Sequence, residues 1–280
     1  MDPFELIIFI PSIYLSLKYL IRWYSYTFGS QKLYRNTFVQ TMFCIVPVLA
    51  AIINLYTLTV LASFDVVDSS LYITFYFLIG LVWLFVSIFM IFVFFNLSWI
   101  DDALNMKNPG AALAIAGGGL GATLIYAGSN IGDGPGWWCV FFAGGLGLAW
   151  WFLLGMLANW ITKIFKKITV ERDIFCGIRT GAYLLSGGII LGRASGGDWT
   201  SFSKTVEEFL DGWPVLILTA LFILIELLLK DQSAQDGYRA KTENSTQLAV
   251  SLSLGVFYIT AAICAVYFLP PLPINPIYRL

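Results

Sequence analysis

The sequence lacks histidine and has few charged residues. Only 12% of its 280 residues are Asp, Glu, Lys or Arg, whereas a soluble domain carries about 25%. Because 59% of the residues are hydrophobic, no soluble fold could bury them all, and the composition predicts an all-α integral membrane protein with several spans. Without histidine the chain lacks the commonest general base and metal ligand. We therefore expect neither an enzyme nor a cofactor or metal site.

Cysteine is also scarce, and its placement argues against a disulfide framework. The four cysteines occur singly, on different apolar segments, at positions 44, 139, 176 and 264. Cys139 and Cys176 are expected near opposite faces of the bilayer, about 30 Å apart, which is too far for a disulfide bond. We expect all four to be small buried hydrophobic residues. The net charge of −1 gives no reason to expect a nucleic-acid partner.

Long apolar segments dominate the chain and predict about eight transmembrane helices. They cover residues 4–22, 37–64, 71–97, 109–128, 137–161, 177–193, 213–230 and 247–269. Most of them reach the roughly 20 residues that a helix needs to cross the hydrocarbon core. The first segment contains Pro11 and Lys18, so for residues 4–22 a helix lying in the membrane interface stays open as an alternative.

The basic residues of the connecting segments predict the orientation. One side of the membrane carries three of them, at 193, 204 and 279. The opposite side carries Lys18, Arg22, Lys32, Arg35, Lys107, Lys163, Lys166, Lys167, Arg172, Arg179, Lys230, Arg239 and Lys241. Because cytoplasmic loops are enriched in Lys and Arg, this asymmetry predicts that both termini lie outside.

Two segments share a glycine-rich motif. Each position of the first copy recurs in the second at the same sequence spacing, which is the spacing between positions 110 and 181 and is named here the motif offset. Six positions recur without a gap: Gly110, Ala111, Leu113, Gly117, Leu120 and Gly121 reappear as Gly181, Ala182, Leu184, Gly188, Leu191 and Gly192. Each copy continues into a second apolar segment, so each unit contains two spans and both units start from the same side. The motif thus predicts a tandem two-helix hairpin repeat in parallel orientation. The predicted regions are a three-span region at 1–97, repeats at 98–162 and 163–230, and a loop with the final span at 231–280.

The glycines of each copy fall on one helix face. The pairs 117/121 and 188/192 have GxxxG spacing, which lets helix backbones approach closely in lipid. We expect six glycines to act as structural packing sites: Gly110, Gly117, Gly121, Gly181, Gly188 and Gly192. A glycine-rich face can also line a pore, and this alternative stays open.

The first copy also carries a resemblance to a known family. It has an Asn followed by Ala, Leu and Gly at set spacings from Asn108 to Gly121, with Asp101 and Asp102 before it, and it is duplicated in tandem. This pattern resembles the bacterial YjfL-type family of uncharacterised inner-membrane proteins, over about residues 100–230. The resemblance implies a multi-span protein of the bacterial inner membrane and no particular activity. The second copy departs from the pattern, because Arg179 replaces the Asn.

Two ionisable residues are predicted inside the membrane near its cytoplasmic side. Arg179 lies about one turn into its span, and Glu226 lies about one turn before the end of the next span. Because these helices are antiparallel neighbours, the two residues share a depth and form a candidate intramembrane charge pair. The aligned positions of the first copy, Asn108 and Gly155, carry no such pair, which suggests that the two charges compensate each other. Snorkelling of Arg179 and pairing of Glu226 with Lys230 are the alternatives.

One outer segment, residues 200–211, predicts a short amphipathic helix. Its apolar residues at helical spacing are Phe202, Val206, Phe209 and Leu210. We expect this helix to lie on the outer leaflet as a connector. A helix that docks a partner is the alternative.

These features leave two main hypotheses for function. The first is an integral inner-membrane protein of scaffold or envelope-maintenance type that packs through glycine-rich helix faces. The second is a channel or permease formed by the repeated hairpins, although few deep polar residues exist to line a conduit. Besides the lipid bilayer, the expected partners are another membrane protein or further copies of the chain.

Overall fold

The computed structural model describes residues 3–29, 37–134, 136–235 and 243–270. Within these residues it confirms the predicted all-α polytopic class, since eight helical segments are long and apolar enough to cross a membrane. The long helices are α1 (Pro3–Gly29), α2 (Thr37–Tyr56), α4 (Ser70–Phe95), α5 (Pro109–Gly128), α6 (Trp137–Thr162), α8 (Ile174–Ser195), α10 (Pro214–Gln235) and α11 (Glu243–Phe268). Helix α1 is continuous from Pro3 to Gly29, which favours a span over an interfacial segment.

Shorter elements connect the spans. A π-helical turn, Thr57–Leu61, extends α2, and another, Trp99–Asn105, lies between α4 and α5. The short helices are α3 (Phe64–Val67), α7 (Ile164–Thr169) and α9 (Phe202–Phe209), and a single 3-10 turn, Leu210–Gly212, follows α9. The strands of the described chain are β1 (Gly132–Asp133) and β2 (Gly197–Asp198), which pair in parallel.

The spans form two rows of neighbouring helices. In one row α2 packs against α5, α5 against α8 and α8 against α11; in the other, α1 packs against α4, α4 against α6 and α6 against α10. Because successive spans alternate in direction, all helices of a row run the same way. The α5–α8 pair is the most extensive contact, and 78% of the most apolar stretch of α5 is buried, against 17% for α1. The α5–α8 pair is therefore the centre of the protein.

Equivalent structural features recur at an offset that differs from the motif offset. Asn108 and Asp173 cap α5 and α8, and each side chain accepts a hydrogen bond from the backbone N–H three positions further on. The residues just before the caps, Lys107 and Arg172, both adopt the left-handed conformation. The sequence spacing between positions 108 and 173 is named here the cap offset. It corrects the predicted alignment of Asn108 with Arg179, because the structural equivalent of Asn108 is the capping Asp173.

Both connectors on this side of the membrane are also built alike. The first connector, residues 96–108, holds the π-helical turn, and the second connector, residues 163–173, holds α7. In the described chain the non-glycine residues with positive φ are the first residue and the next-to-last residue of each connector. On the other side, β1 and β2 are related by the same cap offset and pair with each other, Gly132 with Gly197.

The predicted helix within 200–211 is present, but its apolar residues do not share one environment. Phe209 is buried, whereas Val206 and Leu210 are exposed. Phe202 contacts the rings of Trp138 and Phe142 on α6. The helix therefore packs on the bundle with a mixed face. The reason is that α6 supplies an aromatic neighbour that the sequence of α9 alone does not reveal.

Part of the orientation signal lies outside the described residues, namely Lys32, Arg35, Arg239, Lys241 and Arg279, and the side chain of Lys230 does so too. The cytoplasmic assignment of the connector side stays a prediction.

Candidate functional site

The backbones of α5 and α8 meet along a seam of glycines. A Cβ atom built on Gly117 would collide with the backbone of Gly181, and one on Gly188 would collide with the backbone of Gly121. The contacts advance along both helices in the same order, so α5 and α8 run in parallel. All six predicted packing glycines face the opposite helix or its cap: Gly110 meets Asp173, Gly117 meets Gly181, Gly121 meets Leu184, Gly181 meets Leu113, Gly188 meets Gly121 and Gly192 meets Leu124. In lipid, such close backbone contact allows tight van der Waals packing.

Two further glycines belong to this seam and were missed from the sequence. Gly177 lies against Gly110, and Gly128 lies against Gly192. Gly177 and Gly181 themselves have GxxxG spacing, so the pattern could have revealed the first of them. The seam extends through nearly the whole length of both helices.

Arg179 of α8 and Glu226 of α10 form a buried ion pair. The guanidinium Nε lies 2.5 Å from Oε1 of Glu226, and Nη2 donates to Oε2 at 3.0 Å. Glu226 is 0% exposed and Arg179 is 6% exposed. This two-point geometry matches the planar guanidinium to the planar carboxylate. At the cap offset the position of α5 equivalent to Arg179 is the apolar Ala114, so α5 carries no charge there.

Three other residues contact the pair. Nη1 of Arg179 donates to the Ser251 hydroxyl of α11 at 2.8 Å. Lys167 of α7 places its Nζ 3.7 Å from Oε2 of Glu226, and the Cys176 thiol lies 3.8 Å from the same oxygen. The cluster thus connects α7, α8, α10 and α11. No signal in the sequence pointed to Ser251 or Lys167, since a serine in a span is common and the direction of a connector lysine depends on packing.

Hydroxyl groups continue this polar cluster along α8, α10 and α11. The hydroxyls of Tyr183 and Thr219 lie 3.0 Å apart, one turn of α8 beyond Arg179. Ser186 and Tyr258 are fully buried, and within the described chain neither hydroxyl has a hydrogen-bond partner. Buried polar groups of this kind are uncommon. Seven buried polar residues of α8, α10 and α11 are named together here the polar column: Glu226, Arg179, Ser251, Tyr258, Tyr183, Thr219 and Ser186.

Two asparagines tie neighbouring elements together. Asn108 donates to the carbonyl of Ile168, at 2.7 Å, and so ties the start of α5 to α7. Asn159 accepts from the backbone N–H of Phe165. Asn54 differs, because its buried amide makes no hydrogen bond to any described residue and lies against Gly80.

Comparisons of the chain with protein-family models, with curated proteins and with solved structures find no match. The resemblance to the YjfL-type family therefore stays a prediction.

Proposed function

We propose that this integral membrane protein is a scaffold of the bacterial inner membrane, of envelope-maintenance type, and neither an enzyme nor a transporter. The α5–α8 seam is the observation that supports this role most. Because the two central backbones are in contact, they leave no room for a conduit between them. A rigid core that carries exposed apolar helices on both flanks suits a protein that holds other membrane proteins, or further copies of itself, in place.

The tandem duplication of a hairpin is part of this proposal. The recurrence of the caps, of the left-handed residues just before them and of the strands at one offset supports it. A duplicated two-span unit can pack against its own copy, and the seam is the resulting interface. The repeat would then have been kept for packing.

A flux measurement tests the scaffold role. The purified protein is reconstituted into liposomes, and proton, potassium, chloride and glycerol permeation are followed against protein-free liposomes. We expect no increase for any solute. A protein-dependent flux of any of them would contradict the proposal.

A channel or permease is the second candidate, and the polar column favours it. A row of buried ionisable and hydroxyl groups could pass protons between helices α8, α10 and α11. In that case the wild-type chain would acidify liposomes under a pH gradient, and Glu226→Gln would abolish this flux. Ser203→Ala, on exposed α9, is the control that should leave it unchanged.

A further inference from the structure

Helix α7 and its N-cap residue present exposed lysines. The apolar residues Ile164, Phe165 and Ile168 are buried, while Lys163 and Lys166 are exposed. Within the described part of the chain neither lysine makes a salt bridge, whereas Lys167 turns inward to Glu226. Lys163 and Lys166 are named here the lysine patch.

The lysine patch lies at the end of a lipid-facing stripe of α6. Leu153, Leu157 and Trp160 are exposed on this stripe, and Trp160 is 72% exposed. They recur every three to four residues and so lie on one face of the helix, and α6 ends at Thr162, immediately before the patch. Trp is enriched at membrane–water interfaces. A lipid whose chains follow this stripe would therefore have its headgroup beside the lysine patch.

The first connector gives a contrast of charge within the same architecture. Where the second connector has Lys166 and Lys167, the first has Asp101 and Asp102 at the positions related by the cap offset. Burial raises the pKa of the Asp102 carboxyl above its ordinary value, and its neighbour Asp101 adds to the shift. The backbone N–H of Ser98 donates to Asp102 at 2.7 Å. The acidic pair is therefore involved in interactions within the first connector. At these positions the two connectors carry opposite charges on the same side of the membrane.

We propose that the lysine patch, together with Trp160, binds the headgroup of an anionic phospholipid. The cationic ammonium groups recognise the lipid phosphate and its net negative charge, and the indole ring lies at the boundary between headgroup and acyl chains. The zwitterionic lipids of the same leaflet lack the net charge. This site is independent of the scaffold role, because a conducting protein could hold the same lipid.

Native mass spectrometry of the full-length protein tests the site. The protein in neutral detergent is titrated with phosphatidylglycerol or phosphatidylcholine, and bound lipids are counted. We expect tighter retention of phosphatidylglycerol. Since each lysine at an anionic surface contributes about fivefold to binding, Lys163→Gln/Lys166→Gln should weaken retention about thirtyfold.

The control variant is Lys18→Gln/Arg22→Gln on α1, which also removes two positive charges and should retain the lipid like the parent. An equal loss in both variants would mean a general charge effect and would overturn the site. Equal retention of the two lipids by the parent would also overturn it. A third arm adds inorganic phosphate at millimolar concentration; if phosphate displaces the lipid, the patch is a soluble-phosphate site and the proposal is wrong.

Discussion

Two positively charged side chains approach the single carboxylate of Glu226. Arg179 binds it through two nitrogens, and Lys167 approaches from the connector side. Removing a buried charge from water costs several kcal/mol, and the partner recovers this only when geometry is good. The additional bond from Arg179 to Ser251 satisfies a further donor. The cluster therefore fixes three spans at one depth.

Loss of a single partner should destabilise the protein more than loss of both. We expect Arg179→Met and Glu226→Leu each to cost about 3–5 kcal/mol. Glu226→Leu leaves the buried Arg179 uncompensated, and Arg179→Met leaves the buried Glu226 with only the more distant Lys167. The double variant replaces both with apolar side chains and should recover most of the loss. Thermal unfolding in one detergent is measured for the parent, the two single variants and the double variant. Simple additivity of the two single effects would contradict the coupling.

At the scale of single residues, the sequence predicts part of the cluster around Glu226. Shared depth on antiparallel neighbours was enough to propose contact between Arg179 and Glu226. The supporting comparison with Asn108 and Gly155 rested on the motif offset, which the helix caps do not follow. Ser251 could not be predicted, since its role depends on α11 packing beside α8, far away in sequence.

At the scale of helices, the glycine seam decides how α5 and α8 pack. Glycines recur every three to four residues on both helices, so several alignments place glycine on glycine. The motif offset matches the glycine pattern, while the caps and strands follow the cap offset. Composition could predict that the glycine faces pack, but not their register. The observed register agrees with the helix starts at Asn108 and Asp173.

The seam should not tolerate side chains. We expect Gly117→Leu or Gly188→Leu to cost more than about 2 kcal/mol, because the new side chain meets the backbone of the facing helix and cannot be accommodated by a rotamer change. Gly145→Leu on α6 is the matched control, since no described atom apart from its own helix backbone and its chain neighbours lies within 4 Å of its would-be Cβ. The measurement is the detergent-solubilised melting temperature. If the seam variants have the same melting temperature as Gly145→Leu, the close contact is not needed for stability.

At the scale of the whole molecule, eight spans in two rows explain the composition. The outer helices expose large apolar side chains, including Phe4 and Ile7 on α1 and Tyr267 and Phe268 on α11, as a protein surrounded by lipid requires. Hydropathy therefore predicts the number of spans and most of their bounds. It cannot predict the rows, because row membership depends on which faces of successive hairpins meet.

Orientation follows from the connectors, and it can be measured at two positions separated by the single span α8. Val170 ends the helical part of the second connector and is exposed, and Ser203 is exposed on α9. Cys264 is exposed and not buried as predicted, so it is first replaced by Ala. In that chain we expect Ser203→Cys to react with a membrane-impermeant thiol reagent in intact cells. Val170→Cys should react only after lysis, because connectors that carry basic residues are expected to face the cytoplasm. The reverse pattern would invert the orientation, and labelling of both positions in intact cells would contradict a span between them.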